Sequence, residues 1–189
     1  MSDHIPMNLL PARSLVLCID IQDRFQAAIP DIAADRPLGR RAGQLLAGAA
    51  LLGVPRLISE QVPDKLGATL PHLRAAAGDA PVLAKRHFSC VEDPGIRAHL
   101  DRHADATVVI AGIEAHICVL ATVADLRALG RPVVLCADAV GSRDPEHRQL
   151  ALAAARDLGA QVLPVETVLF RWQRIAGEGH FKAISALVR

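Results

Sequence analysis

At 189 residues the chain has room for one domain with a full core, and a formal charge of +1 from 21 basic and 20 acidic residues leaves no basic field for nucleic acid and no acidic tail. Half of it (51%) is apolar but only 3% is aromatic, so the interior has to be built from Ala, Leu, Val and Ile. No apolar run approaches the roughly 20 residues that span a bilayer, and the opening MSDHIPMNLLPARS shows no basic segment leading into an apolar core, so a cytoplasmic protein handling a small molecule, with no nucleic-acid or membrane partner, is expected.

Taken in order, Ser14 to Gln22 (SLVLCIDIQ) is apolar until Asp20 and suits a central parallel strand. Leu38, Leu45, Leu46, Ala49 and Leu52 recur at helical spacing, and Gly53 and Pro55 stop that helix. Val54 to Gln61 predicts a second strand and Val82 to Lys85 a short third, with a loop-rich segment around Pro63 and Gly67 between them. Asp93-Pro94 and Asp144-Pro145 each place a side-chain cap ahead of a proline at the first helical position. Between those two starts, Val108, Val109 and Ile110 read as an interior strand that Ala111 and Gly112 end, and an apolar helix runs from Ala115 to Gly130. Pro132 to Val140 and Gln161 to Val165 supply the fifth and sixth strands. The tail reads as a loop holding Trp172, then a closing helix with Phe181, Ile184 and Leu187.

Strands alternating with helices predict an α/β fold, a three-layer αβα sandwich in a single domain over residues 1–189. Its sheet is doubly wound, mainly parallel and six-stranded, in the order 3-2-1-4-5-6. In that order strands 1 and 4 are neighbours where the winding reverses, and ligands bind beyond the carboxyl ends there. Asp20 closes strand 1, Lys85 closes strand 3, and Cys118 follows strand 4, so the three converge on one crevice. Cys118 falls in the first turn of its helix, where unpaired amides and the helix dipole favour thiolate. Lys85 is one of only three lysines among 21 basic residues, a compact charge suited to holding a thiolate or a carboxylate.

The cysteines at 18, 90, 118 and 136 show no CxxC pairing and no zinc spacing, so neither a disulfide framework nor a metal is expected. Cys18 and Cys136 sit inside apolar strands and read as packing residues, and Cys90 reads as an exposed loop residue. His99 and His103 have the i, i+4 spacing of a metal pair, but HLDRH lacks the glutamate of HExxH and reads as a solvated helix face. Glu114 and His116 flank Cys118 and either line the pocket or cap the helix. Gly177-Glu178-Gly179 follows no strand and is not a dinucleotide fingerprint.

CIDIQDRF, LAKRHFSC, GIEAHICVLAT, CADAVGSRDPEHRQLAL and ETVLF, in this order over nearly the whole chain, resemble the isochorismatase-like cysteine hydrolases, in particular the branch of isochorismatase domain-containing proteins. The resemblance implies Asp20, Lys85 and Cys118 as catalytic triad, with Gln22, Phe25, Ile113 and Glu114 as substrate-binding or oxyanion residues. It also implies a cis peptide bond between Ile113 and Glu114. Members acting on nicotinamide carry an Asp-x-His metal motif after the second strand, whereas this chain has Ser59-Glu60-Gln61 there. No catalytic metal and no cofactor are therefore expected, and the implied activity is amide hydrolysis by a cysteine through a thioester. Two other classes stay open: a thiol redox or scavenging protein, for which Cys90 is the candidate partner of Cys118, and a non-catalytic assembly module. The helix after Cys118 carries only Asp125 and Arg127 as charges, so a homo-oligomer is expected.

Overall fold

The protein is described by a computed structural model over residues 9–189; most of the opening segment read for a leader lies outside the described residues. Six strands, β1 (Ser14–Ile19), β2 (Arg56–Gln61), β3 (Val82–Lys85), β4 (Thr107–Ile113), β5 (Val133–Gly141) and β6 (Gln161–Leu163), form one sheet. Every pairing is parallel and the order is β3-β2-β1-β4-β5-β6, as expected. Parallel neighbours need crossovers, and the helices that make them cover both faces.

The period of two along each strand divides the core into two halves. In β1, Val16 and Cys18 join the cluster under α1 (Pro37–Leu51), α3 (Pro71–Ala77), α7 (Val165–Gln173) and α8 (Phe181–Val188), through Leu45, Leu73, Val168 and Ile184. Leu15, Leu17 and Ile19 join the other cluster, with Ile96 of α4 (Pro94–Asp101), Val123 of α5 (Leu120–Ala128) and Ala151 of α6 (Pro145–Asp157). Both faces of β1 are therefore buried, which is why its sequence is continuously apolar rather than alternating.

The predicted caps form. Asp93 accepts from the Gly95 N–H at 3.3 Å and Asp144 from the Glu146 N–H at 2.8 Å, each with proline at the first helical position. Three boundaries differ from the expectation. β1 stops at Ile19, because Asp20 turns the chain with φ 57°. The loop predicted around Pro63 contains α2 (Pro63–Leu66) and is followed by α3. The loop predicted to hold Trp172 is the helix α7, which begins at Val165 instead of leaving it in β6. Its start is capped from a distance: Asp138 of β5 accepts from the Val165 N–H at 2.8 Å, a contact that local sequence does not announce. Trp172 then anchors α7 to the sheet by donating to Ser14 Oγ at 3.0 Å.

Candidate active site

The site is built at the carboxyl ends of β1, β2, β3 and β4, on either side of the β1–β4 reversal. Asp20, one residue beyond β1, is 1% exposed, and Lys85, the last residue of β3, is 1% exposed. The strand β2 lies between them in the sheet, and the length of a lysine side chain spans it: Lys85 Nζ is 2.8 Å from Asp20 Oδ2. The ammonium group also donates to Gln61 Oε1 at 2.5 Å and to the carbonyls of His87 and Phe88 at 3.1 Å each. Two charges taken out of water need such partners, because desolvation alone costs several kcal/mol per ion.

The third group arrives from β4. Glu114 takes a left-handed conformation (φ 48°, ψ 59°) and turns the chain into a π-helical turn, Ala115–Val119, that runs on into α5. Cys118 lies in that turn, 7% exposed, and its thiol lies close enough to the Asp20 carboxylate for the two to interact. Thr122, one turn on, accepts from the Cys90 N–H at 3.0 Å and donates to the Cys118 carbonyl at 2.7 Å, tying the two cysteine segments together. Asp20, Val62 and Glu114, three of the four non-glycine residues with positive φ among the described residues, follow β1, β2 and β4 at this end of the sheet. Backbone in sparsely populated regions collects where function constrains it.

Two expectations are corrected here. The Ile113–Glu114 peptide is not cis; no cis bond occurs among the described residues, and the left-handed Glu114 makes the turn. The thiol of Cys118 is pushed up to about 12, not down. Burial is the main cause and the Asp20 charge the next, with Lys85 opposing them. The lysine charge is already matched by Asp20, so a second negative charge in the same buried space has no free counterion. The resting cysteine is a thiol, and the helix start does not reverse that.

Burial also raises Cys18 to about 12 and Cys90 to about 11, and moves Cys136 further up. Below pH 9.0 these thiols are protonated in folded and unfolded chain alike, and as pH rises past it the unfolded chain alone releases protons, so folding loses stability. The four together are expected to remove roughly 3 kcal/mol by pH 9.5 relative to pH 7.5. Urea denaturation under reducing conditions at the two pH values measures this, and equal midpoints would contradict it.

The other residues expected at the site have these surroundings. The Gln22 side chain is committed to backbone: it donates to the carbonyls of Gln61 at 3.1 Å and Gly67 at 2.6 Å and accepts from the Gln61 N–H at 2.8 Å. It clamps the end of β2. Phe25 is half-buried against the α1 side of the core, and Ile113 is a core residue of β4. Glu114 is 6% exposed, 3.4 Å from His116 Nδ1 and 3.6 Å from Arg143 Nε. His116 in turn lies 3.1 Å from Ser142 Oγ. His99 and His103 are half-buried beside a cleft with Arg56 and Pro81, at the opposite, amino end of the strands. Among the described residues no cluster of three or more His, Cys, Asp or Glu side chains is arranged to hold a metal ion.

Ser59 and Gln61 hold the ion pair although no local pattern assigned them a role, and Cys90 departs from its expected exposure. Cys90, expected to be exposed, is fully buried and lies 3.6 Å from Ser59 Oγ. Ser59 donates to Asp20 Oδ1 at 2.7 Å, and Gln61 holds Lys85. The available signal was two uncharged polar residues, Ser59 and Gln61, on one face at the end of the strand RLISEQ.

A doubly wound α/β sheet that buries an acid, an ammonium group and a thiol together at its point of reversal falls in the class of isochorismatase-like hydrolases. The family model described as Isochorismatase domain matches residues 14–167, and the chain belongs to that family. It is 35% identical to isochorismatase domain-containing protein 2A of Mus musculus, over 96% of this chain and 85% of the mouse protein. Isochorismatase domain-containing protein 1 of Danio rerio is likewise 35% identical over 96% of this chain, which spans only 63% of the zebrafish protein's length. Among solved structures, the MAR1 ribonuclease of Caenorhabditis elegans superposes with a TM-score of 0.85 at 29% identity, covering 95% of this chain and 91% of that one. No helix among the described residues is long and apolar enough to cross a membrane.

Proposed function

We propose that the protein is a metal-independent cysteine hydrolase of small amides or related C–N substrates, with Cys118 as nucleophile, Asp20 as general base and acid, and Lys85 as their counterion. The observation that carries this reading is one buried carboxylate shared by an ammonium group at 2.8 Å and a thiol. As the substrate carbonyl carbon is attacked, the thiol proton passes to Asp20, and collapse of the tetrahedral intermediate returns it to the departing amine. Amides of the turn at Ala115–Val119 would receive the oxyanion. Water, deprotonated by Asp20, then hydrolyses the thioester and restores the thiol. Independence from metal is supported by the commitment of Ser59 and Gln61 to Asp20 and Lys85, which leaves neither as an unengaged ligand. The test is a hydrolysis screen over primary amides and carbamoyl compounds, run beside Cys118→Ala.

RNA cleavage, named for the nematode relative, is less well supported. The reactive groups are 1% to 7% exposed, and a net charge of +1 offers little to draw in a polyanion. Self-association belongs to the same proposal. Ile117, Leu120, Ala121 and Ala124 are only half-buried along the π-turn and α5, and a second copy would cover them. Light scattering is expected to give a multiple of the 20.1 kDa chain mass, and a monomer would overturn the assembly without touching the chemistry.

A further inference from the structure

The strand β2 sits between the strand that ends at Asp20 and the strand that ends at Lys85, and its register decides what its side chains meet. Ser59 pairs with Ile19, one residue before Asp20, and Gln61 pairs with Lys85. Residues two apart in a strand point to the same face, so Ser59 and Gln61 project together, one toward each member of the ion pair. Ser59 is fully buried; its hydroxyl donates to Asp20 Oδ1 at 2.7 Å, its carbonyl accepts from the Asp20 N–H at 3.1 Å, and Cys90 donates to its oxygen at 3.6 Å. One carboxylate oxygen is thereby occupied, and the other is left for Lys85.

We propose that Ser59 is a positioning residue of the hydrolase: its hydroxyl fixes the Asp20 carboxylate, holding it aimed so that it can take the Cys118 proton. This rests on the reading of Asp20 as the base. A carboxylate that loses a hydrogen-bond donor becomes a weaker acid, and a rotatable one spends less time facing the thiol. The titratable groups around this carboxylate are Lys85 from β3, Cys90 from the segment after it, Cys118 from the turn after β4 and Cys18 from its own strand.

The probe is iodoacetamide, with alkylation of Cys118 followed by peptide mass spectrometry between pH 5 and pH 9. In the natural sequence the rate falls on the acid side as the base is lost. In Ser59→Ala that acid limb is expected to move up by about one pH unit. Ser59→Thr, which keeps the hydroxyl, restores it. Ser59→Cys, nearly isosteric with a weaker donor, shifts it part of the way and serves if the alanine variant does not fold. A lower rate at every pH with the limb in place would mean a merely structural role and overturn the proposal. Asp20→Asn separates the two ideas. If that variant keeps the natural limb, Asp20 is not the base; if it loses the limb while Ser59→Ala leaves it unmoved, only the role of Ser59 falls.

Discussion

Cys118→Ala is expected to lower turnover of any substrate found in the amide screen by at least about 10⁴-fold, because removing a nucleophile leaves only binding and oxyanion contacts to act on the bond. Asp20→Asn should cost about 10² to 10⁴, the usual range for a positioned proton carrier. The resting thiol sharpens this expectation. With Cys118 pushed up to about 12 by burial and by Asp20, too little thiolate exists at neutral pH to act without a base, so the two substitutions should be strongly non-additive. The double variant is expected to be no slower than Cys118→Ala alone. Steady-state rates on the natural and substituted proteins decide it, and hydroxylamine capture of the acyl group separates a thioester route from direct attack by water. Turnover that survives Cys118→Ala within tenfold would end the case for this nucleophile.

Lys85→Met should destabilise the fold by about 3 to 5 kcal/mol, since it strands a carboxylate of 1% exposure without its counterion. The ammonium group has four acceptors, Asp20, Gln61 and the carbonyls of His87 and Phe88, so its removal also unpins the segment after β3. Asp20→Asn combined with Lys85→Met is expected to recover most of that loss, because the pair is then replaced by neutral groups of similar size. Urea midpoints for the two single variants and the double variant form a cycle that isolates the coupling. A cost below about 1 kcal/mol for Lys85→Met alone would mean that the pair is far better solvated than its burial indicates. Lys85 is itself raised above its usual range: burial works to lower it, and Asp20 followed by the nearby thiols more than offsets that. Its charge is present throughout the neutral range in which the reaction would run.

Much of this was legible in the order of residues. Continuous apolar strands such as SLVLCI, alternating with helices begun by Asp-Pro and ended by Gly, define a parallel sheet, and right-handed crossovers put the helices on both of its faces where the strand order reverses. Polar residues closing apolar strands marked Asp20 and Lys85, and the first residues after the fourth strand marked Cys118. These are signals of local pattern, and local pattern is what burial imposes on a chain.

What pattern could not reach were contacts between residues distant along the chain. The helix at Val165 depends on a cap from Asp138, and the clamp on the carboxylate depends on Ser59 standing beside Ile19 in register. The charge state of Cys118 escaped for the same reason. A helix start predicts a thiolate when considered alone, but the thiol is buried against a carboxylate that is already paired with Lys85. Sequence determined which groups gather at the end of the sheet, through periodicity and strand order. The tertiary structure alone decided which hydrogen bonds and charges each one meets, because those depend on packing across strands that no local spacing encodes.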